Sequence, residues 1–149
     1  MRIALGSDHR GFRMKEMLKA RVASLGHETA DFGCHDETAI DYTDVAVPLA
    51  RAVAAGEFDL GIIVCSNGVG VSIAANKVNG VRAALCHDTF AARRARQHTN
   101  ANMLAMGSWC IGEGVACEIV DAFLSSEFEG GRHAKRLEKL AALERGEME

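Results

Sequence analysis

This chain of 149 residues has no apolar run near the roughly 20 residues that a membrane-spanning helix needs, which excludes a span of that kind. Its net charge of −3 lacks the basic excess typical of proteins that bind nucleic acid or membrane surfaces. Aromatic residues make up only 5% of the chain while hydrophobic residues make up 48%, which predicts a core of aliphatic side chains. The composition therefore predicts a globular protein whose partners are neither nucleic acid nor membrane.

Patterns for disulfides and for metal binding are also missing. The five cysteines are odd in number and lack C-x-x-C spacing, which favours reduced thiols in a cytoplasmic protein over a disulfide framework. The N-terminal residues enter a strand pattern directly, so we expect no signal peptide. The six histidines form neither an H-E-x-x-H nor an H-x₃-H motif. We therefore expect a cytoplasmic protein with no metal site and no cofactor.

Strand and helix patterns alternate along the chain. The predicted strands are 2–6, 28–32, 58–65, 81–86 and 103–106. The predicted helices are 11–25, 44–55 with Asp44 as its cap, 69–76, 89–96 after the cap Asp88, 113–124 and 132–145, and Tyr42 falls in a polar loop, 33–43. This order predicts a single α/β domain over 1–149 with a doubly wound, Rossmann-like, five-stranded parallel sheet, helices on both faces and an extra C-terminal helix.

Folds of this class bind ligands outside the carboxyl ends of their strands. Four loops lie at that edge of the predicted sheet, and each carries polar or ionisable residues: 7–9, 65–70, 87–88 and 107–109. We therefore expect the functional site at this edge.

The segment 60–77 is the most informative of these. An apolar strand ends at Cys65, and a glycine-bearing turn then leads into a helix. The backbone N–H groups of 66–70 can stabilise a phosphate or a developing oxyanion, beside a thiol that can accept a proton. The pair Gly68 and Gly70 lacks the third glycine of the dinucleotide fingerprint. Taken alone, a packing turn with a buried structural cysteine fits this segment equally well.

Several blocks of the sequence resemble type B ribose-5-phosphate isomerases and the wider family that includes galactose-6-phosphate isomerase subunits. These blocks agree in order over about 1–145: Gly6-Ser-Asp-His-Arg-Gly11, Asp41-Tyr42, 65–77, Gly80-Val-Arg-Ala83, Arg96-Gln-His98, Asn102-Met-Leu-Ala-Met-Gly107 and Glu129-Gly-Gly-Arg132. The resemblance implies conversion of aldose phosphates into ketose phosphates without metal. It also implies homodimers or homotetramers whose active sites are shared between subunits.

The resemblance also implies roles for individual residues. The implied catalytic residues are Cys65, His98 and Asn67. Cys65 matches the general base, His98 matches the residue that opens the sugar ring, and Asn67 stands where the family usually has threonine. The implied substrate-binding residues are Asp8, His9, Tyr42, Ser66, Gly68, Val69, Gly70, Asn102, Arg132 and Arg136, of which the two arginines match phosphate ligands. Trp109 replaces an arginine that many members have, so one phosphate contact is expected to be missing.

The chemistry of these residue types fits an aldose–ketose isomerase. A thiolate can move a proton between C1 and C2, N–H donors can stabilise the cis-enediolate, and a histidine can open the furanose ring near neutral pH. Arginines bind phosphate in bidentate geometry. We therefore expect interconversion of ribose 5-phosphate and ribulose 5-phosphate, a step of the pentose phosphate pathway.

Two alternatives remain open at this point. The departures at Asn67 and Trp109 are compatible with another sugar phosphate, such as a hexose 6-phosphate. A non-catalytic sugar-phosphate-binding module on the same fold is the other alternative. The presence of Cys65, His98 and both arginines argues against a module without catalysis.

Overall fold

The computed structural model of the protein describes residues 1–148, and these form five strands and six helices. The strands are β1 Arg2–Ser7, β2 Glu28–Asp31, β3 Leu60–Cys65, β4 Ala83–Leu85 and β5 Met103–Gly107. The helices are α1 Phe12–Ser24, α2 Tyr42–Ala54, α3 Val69–Asn76, α4 Thr89–Thr99, α5 Glu113–Ser125 and α6 Arg132–Glu144. None of these helices is long and apolar enough to cross a membrane.

The strands form one parallel sheet in the order β2-β1-β3-β5-β4. The order reverses beside β1 and β3, so a crevice opens between the loops that follow these two strands. At the carboxyl edge, Cys65 of β3 lies in register with Gly107 of β5, and Ser7 of β1 lies in register with Val64 of β3. The predicted Rossmann-like α/β fold is confirmed.

Alternation of side chains along β3 divides the apolar core into two layers. Ile62 and Val64 pack against α1, α4 and α5 on one face of the sheet. Ile63 and Cys65 pack with side chains of α2 and α3 on the other. Because Cys65 is both the last residue of β3 and a member of the second layer, its thiol lies under the N-terminus of α3.

The start of α2 differs from the sequence-based prediction. The helix begins at Tyr42 with Asp41 as its N-cap, so the prediction of a loop at Tyr42 and of Asp44 as the cap was wrong. Asp44 lies in the first turn, where the helix dipole favours an acidic side chain. Both aspartates carry the same start signal, and the sequence alone did not separate a cap from a first-turn acid.

The ends of α4 and β4 also differ from the prediction. The helix continues past Arg96 to Thr99 and stops where Asn100 adopts a left-handed conformation with φ 43°, so His98 is helical. The edge strand β4 covers only Ala83–Leu85 rather than 81–86. Its expected first residues are held instead by a side chain, since Asn102 Oδ1 accepts a hydrogen bond from the Arg82 N–H at 2.8 Å.

Candidate active site

Cys65 closes β3 with its side chain almost fully buried, at 4% exposure. The backbone N–H of Gly68 donates a hydrogen bond to Cys65 Sγ at 3.1 Å. Asn67 Oδ1 lies 3.9 Å from the same sulfur and accepts a hydrogen bond from the Val69 N–H at 3.0 Å. A thiolate at this position gains a direct N–H donor at a helix N-terminus, which is the environment that activates cysteines.

The turn after Cys65 has little room for a side chain. Gly68 has φ 77°, and a Cβ built on it would collide with Leu85 and lie 2.9 Å from the Met106 carbonyl carbon. A Cβ on Gly107 of β5 would lie 2.7 Å from the Asn67 backbone. Glycine at 68 and 107 therefore lets the turn pack directly against β5, and this packing fixes where the N–H groups point.

Backbone hydrogen bonds join this turn to the loop after β5. Cys65 O accepts a bond from the Ser108 N–H at 2.8 Å, and Ser66 O accepts one from the Trp109 N–H at 2.9 Å. The indole of Trp109 is 69% exposed at the same edge. The loops after β3 and β5 thus form one surface around the thiol.

Asp8, His9 and Tyr42 come from the loop after β1 and from the start of α2. Asp8 Oδ1 accepts the N–H groups of Arg10 and Gly11 at 2.9 and 3.0 Å, so this buried carboxylate builds the turn into α1. His9 Nδ1 accepts the Ile40 N–H at 3.4 Å. The ring of Tyr42 covers α3, because a Cβ on Gly70 would lie 3.0 Å from Tyr42 Cζ. The structure therefore gathers Asp8 and the segment 65–70 at the carboxyl edge, with Tyr42 beside α3.

A second polar group lies where the end of α4 meets the start of α6. The rings of His98 and His133 stack with centroids 4.1 Å apart and planes 12° from parallel. Arg94 Nη1 lies 3.1 Å from His98 Nε2, and Glu129 Oε2 lies 3.7 Å from Nε2 of each histidine. We name Arg94, His98, Glu129, His133 and Arg136 the histidine cluster. Arg132, the first residue of α6, is exposed.

The surroundings of His133 disfavour its charged form. Burial lowers the pKa of His133, nearby His98, Arg132 and Arg136 lower it further, and Glu129 opposes them. Arg136 Nη1 lies 3.4 Å from His133 Nδ1, and because a guanidinium can only donate, Nδ1 accepts and the ring proton sits on Nε2.

The histidine cluster also has the composition of a metal site, since one ligand atom each from His98, Glu129 and His133 lie within 4.8 Å of one another. Its geometry suits a cation poorly. The lone pairs of two stacked imidazoles run nearly parallel instead of converging on one ion. Arg94 already donates to His98 Nε2, and the arginines nearby outnumber the one carboxylate. This group is better matched to an anion.

The two groups lie at different ends of the sheet in one chain. Cys65 is at the carboxyl end of β3, whereas α4 follows β4 and returns to the amino end, where His98 occupies its last turn. Six residues of strand span about 16 Å, which a histidine side chain cannot bridge. A single chain therefore does not place Cys65 and His98 in one pocket.

Asn102 also lies at the amino end. Its Oδ1 accepts the Arg82 N–H at 2.8 Å and its Nδ2 donates to Gly80 O at 2.9 Å. The structure thus gives Asn102 a role in clamping the segment before β4 to β5. A contact between Asn102 and substrate stays a prediction.

Sequence reasoning missed four residues that the structure adds to these groups: Arg10, Arg94, Glu129 and His133. Arg10 and His133 each follow a predicted site residue directly, which was the available signal. No such signal exists in the sequence for Arg94, which enters the group only through its tertiary contact with His98.

A doubly wound sheet with a thiol that accepts an N–H at its carboxyl edge places this protein among the Rossmann-like α/β proteins. Comparisons with known proteins narrow this class. Residues 3–140 match the family described as Ribose/Galactose Isomerase, and the chain therefore belongs to that family.

Three relatives illustrate the similarity. The ribose-5-phosphate isomerase B of Escherichia coli is 45% identical over 143 residues, covering 96% of both chains. The D-erythrulose-4-phosphate isomerase of Pectobacterium atrosepticum is 42% identical over 147 residues, covering 97% of this chain and 96% of that protein. The structure of Clostridium thermocellum ribose-5-phosphate isomerase B superposes with a TM-score of 0.97 at 44% identity, covering 99% of this chain and all of that one.

The rigid turn at Gly68 gives a direct prediction. Gly68→Ala is expected to lower the free energy of unfolding by about 1–2 kcal/mol or more, because a left-handed φ strains an L-residue. Its Cβ would also collide with Leu85 and displace the N–H from Cys65 Sγ, so kcat should fall as well. Chemical denaturation and steady-state assays measure the two effects.

The matched control is Gly114→Ala in α5, where a Cβ meets nothing within 4 Å and alanine favours the helix. This variant should keep the activity of the wild type and match or exceed its stability. Equal stability of Gly68→Ala and the wild type would contradict the assigned role of the turn.

Proposed function

We propose that this protein interconverts ribose 5-phosphate and ribulose 5-phosphate through a cis-enediolate, with Cys65 as the general base. The observation that carries the proposal is the N–H of Gly68 donating to a buried thiol at a helix N-terminus. Relatives named ribose-5-phosphate isomerase B, similar over nearly the whole chain, support the substrate.

Each step assigns a proton to a named atom. The Cys65 thiolate takes the proton from C2 of the open-chain aldose, and the electron pair moves onto O1 to give the enediolate. A proton then passes from O2 to O1. The Cys65 thiol finally returns its proton to C1, which leaves a carbonyl at C2. The backbone N–H groups of 66–70 that are not already bonded to Cys65 Sγ or to Asn67 Oδ1 stabilise the negative oxygen, and one such donor typically contributes about 10²–10³ in rate.

Ring opening and phosphate binding are assigned to residues from a second subunit. His98 is the acid–base group for opening the furanose, and Arg132 and Arg136 bind the phosphate. Because these residues lie at the other end of the sheet from Cys65 of the same chain, we propose a homodimer or homotetramer with shared sites. In this arrangement the positive histidine cluster of one subunit faces the thiol of the other.

The remaining substrate contacts are Asp8, His9, Tyr42 and the polar atoms of Ser66 and Asn67. We further propose that residues 1–149 act as one isomerase domain, working in the cytoplasm without metal or cofactor. The side chains of the site support isomerisation without metal or cofactor, because a thiol, two stacked histidines and arginines supply the acid–base and phosphate-binding groups that the reaction needs.

A second candidate is a different sugar phosphate. The relative named D-erythrulose-4-phosphate isomerase is nearly as similar in sequence as the one named ribose-5-phosphate isomerase B, which favours testing a four-carbon substrate. A six-carbon sugar phosphate is also a candidate substrate, since Trp109 and Asn67 differ from the family's usual residues in the surface around the thiol.

The proposal is tested by assaying the purified protein with four-, five- and six-carbon aldose and ketose phosphates. We expect the highest kcat/KM with ribose 5-phosphate. Preference for a four- or six-carbon phosphate would replace the substrate but keep the chemistry. Binding of sugar phosphates without turnover of any of them would contradict the proposed isomerase activity and support a non-catalytic binding module.

A further inference from the structure

Arg10 has a fixed backbone next to the thiol. Its N–H donates to Asp8 Oδ1 at 2.9 Å, and its carbonyl oxygen accepts a hydrogen bond from Ser108 Oγ at 2.9 Å. The same hydroxyl lies 3.2 Å from Cys65 O, and the Ser108 N–H also donates to Cys65 O at 2.8 Å. One serine thus ties the backbones of Arg10 and Cys65 together, so both side chains start from one rigid patch at the carboxyl edge.

The side chain of Arg10 is positioned by Trp109. The guanidinium carbon lies 4.6 Å from the centre of the indole ring, and the Trp109 N–H is bonded to Ser66 O. A cation–π contact of this kind leaves the N–H donors that do not face the indole available. Arg13, Arg21 and Arg145 each pair with a carboxylate, whereas within residues 1–148 Arg10 forms no ion pair. Its donors are therefore held in place without a protein acceptor.

The charge balance around Cys65 needs such a cation. Asp8 is a buried carboxylate on this side of the site, and it repels an anionic substrate. Lys15 is fully buried and bonded to Asp31 at 2.6 Å, so its charge is already neutralised. Arg132 and Arg136 belong to α6, with the histidine cluster rather than with the thiol. Arg10, by contrast, has its backbone joined to that of Cys65 through Ser108.

We propose that Arg10 is a substrate-binding residue that contacts the phosphate of the sugar through its free N–H edge, and that Trp109 is the positioning residue that holds it there. A planar guanidinium with two parallel donors matches a phosphate in bidentate geometry. Trp109, which has no charge of its own, thereby contributes to phosphate binding through the arginine stacked on it. This inference rests on the proposed isomerase function.

Kinetics of single variants test the contact. Arg10→Ala should raise KM for ribose 5-phosphate by roughly ten- to a hundred-fold and change kcat only a few-fold, as for a hydrogen bond to a charged group away from the reacting carbons. The control Arg51→Ala removes an exposed arginine from the last turn of α2, near the amino end of the sheet, and should leave KM unchanged.

The role of Trp109 is tested by exchange of its ring. Trp109→Phe keeps an aromatic face and should keep KM close to the wild-type value, whereas Trp109→Leu should raise KM with kcat nearly constant. In the Trp109→Leu background, Arg10→Ala should raise KM by a smaller factor than it does in the wild type, because the arginine is no longer held in place. Full additivity of the two substitutions would overturn the positioning role.

Binding of inorganic phosphate separates this inference from the proposed function. Titration calorimetry should show weaker phosphate binding to Arg10→Ala than to the wild type and to Arg51→Ala, and it requires no turnover. Weakened phosphate binding in a protein inactive on ribose 5-phosphate supports the Arg10 contact while the proposed substrate fails. Normal turnover with unchanged KM and unchanged phosphate binding in Arg10→Ala overturns the Arg10 contact and leaves the proposed function intact.

Discussion

Cys65→Ala is expected to lower kcat by about 10²–10⁴-fold, the usual contribution of a general acid–base group, while sugar-phosphate binding stays close to normal. The sulfur of Cys65 accepts the Gly68 N–H and lies beside the turn that we propose to bind the anion. Removing it leaves the N–H donors and the phosphate-binding arginines in place, so the loss should fall on kcat. Steady-state kinetics together with calorimetric binding of the substrate separate the two effects.

The control for this experiment is Cys86→Ala. Cys86 is equally buried, at 2% exposure, but burial raises the pKa of its thiol to about 11. Removing this thiol tests the cost of losing a buried sulfur without touching the proposed site, and kcat should change only a few-fold. Near-normal kcat in Cys65→Ala would assign the base to another residue.

Mixing two inactive variants is expected to restore activity. In a two-fold symmetric dimer, a hybrid of Cys65→Ala and His98→Ala subunits has one site that keeps both residues. Equal mixing with free exchange makes half of the dimers hybrid, so about a quarter of wild-type activity should return. The activity of the mixture after denaturation and joint refolding is the measurement.

The matched control mixes the wild type with the double variant Cys65→Ala/His98→Ala. If the sites are shared, both sites of this hybrid are damaged, and activity should fall from half to about a quarter of the wild-type value after exchange. If each chain holds its own complete site, the first mixture stays inactive and the second remains at half. Shared sites therefore raise the activity of the first mixture and lower that of the second.

The parts of the fold that follow from local pattern were predictable. The apolar run ending at Cys65, followed by a turn with glycine, specified β3 and α3 closely, because burial and backbone geometry are both encoded within a few residues. The start of α2 was not predictable, because Asp41 and Asp44 carry equivalent signals. The extent of β4 was not predictable either, because the hydrogen bond between Asn102 and Arg82 joins distant parts of the chain.

The candidate site shows the same division. The candidate residues at the carboxyl edge followed from the order of strands and loops. In the turn from Cys65 to Gly70, two N–H groups bond Cys65 Sγ and Asn67 Oδ1, and its role as an anion cradle stays a prediction. The stack of His98 on His133 and the cation–π contact of Arg10 with Trp109 were not predictable from spacing. Each depends on tertiary packing that brings two loops or helices into side-chain contact.

The most direct test of the central claim is isomerisation of ribose 5-phosphate in D₂O, followed by NMR. A thiol that removes and returns a proton exchanges it with solvent over many turnovers, so the account predicts deuterium at C1 of ribulose 5-phosphate and at C2 of the recovered aldose. Cys65→Ala should show neither exchange nor conversion on the same timescale. Ketose formed without deuterium after many turnovers would indicate direct hydride transfer, and wild-type exchange by Cys65→Ala would indicate another base; either result would contradict the account.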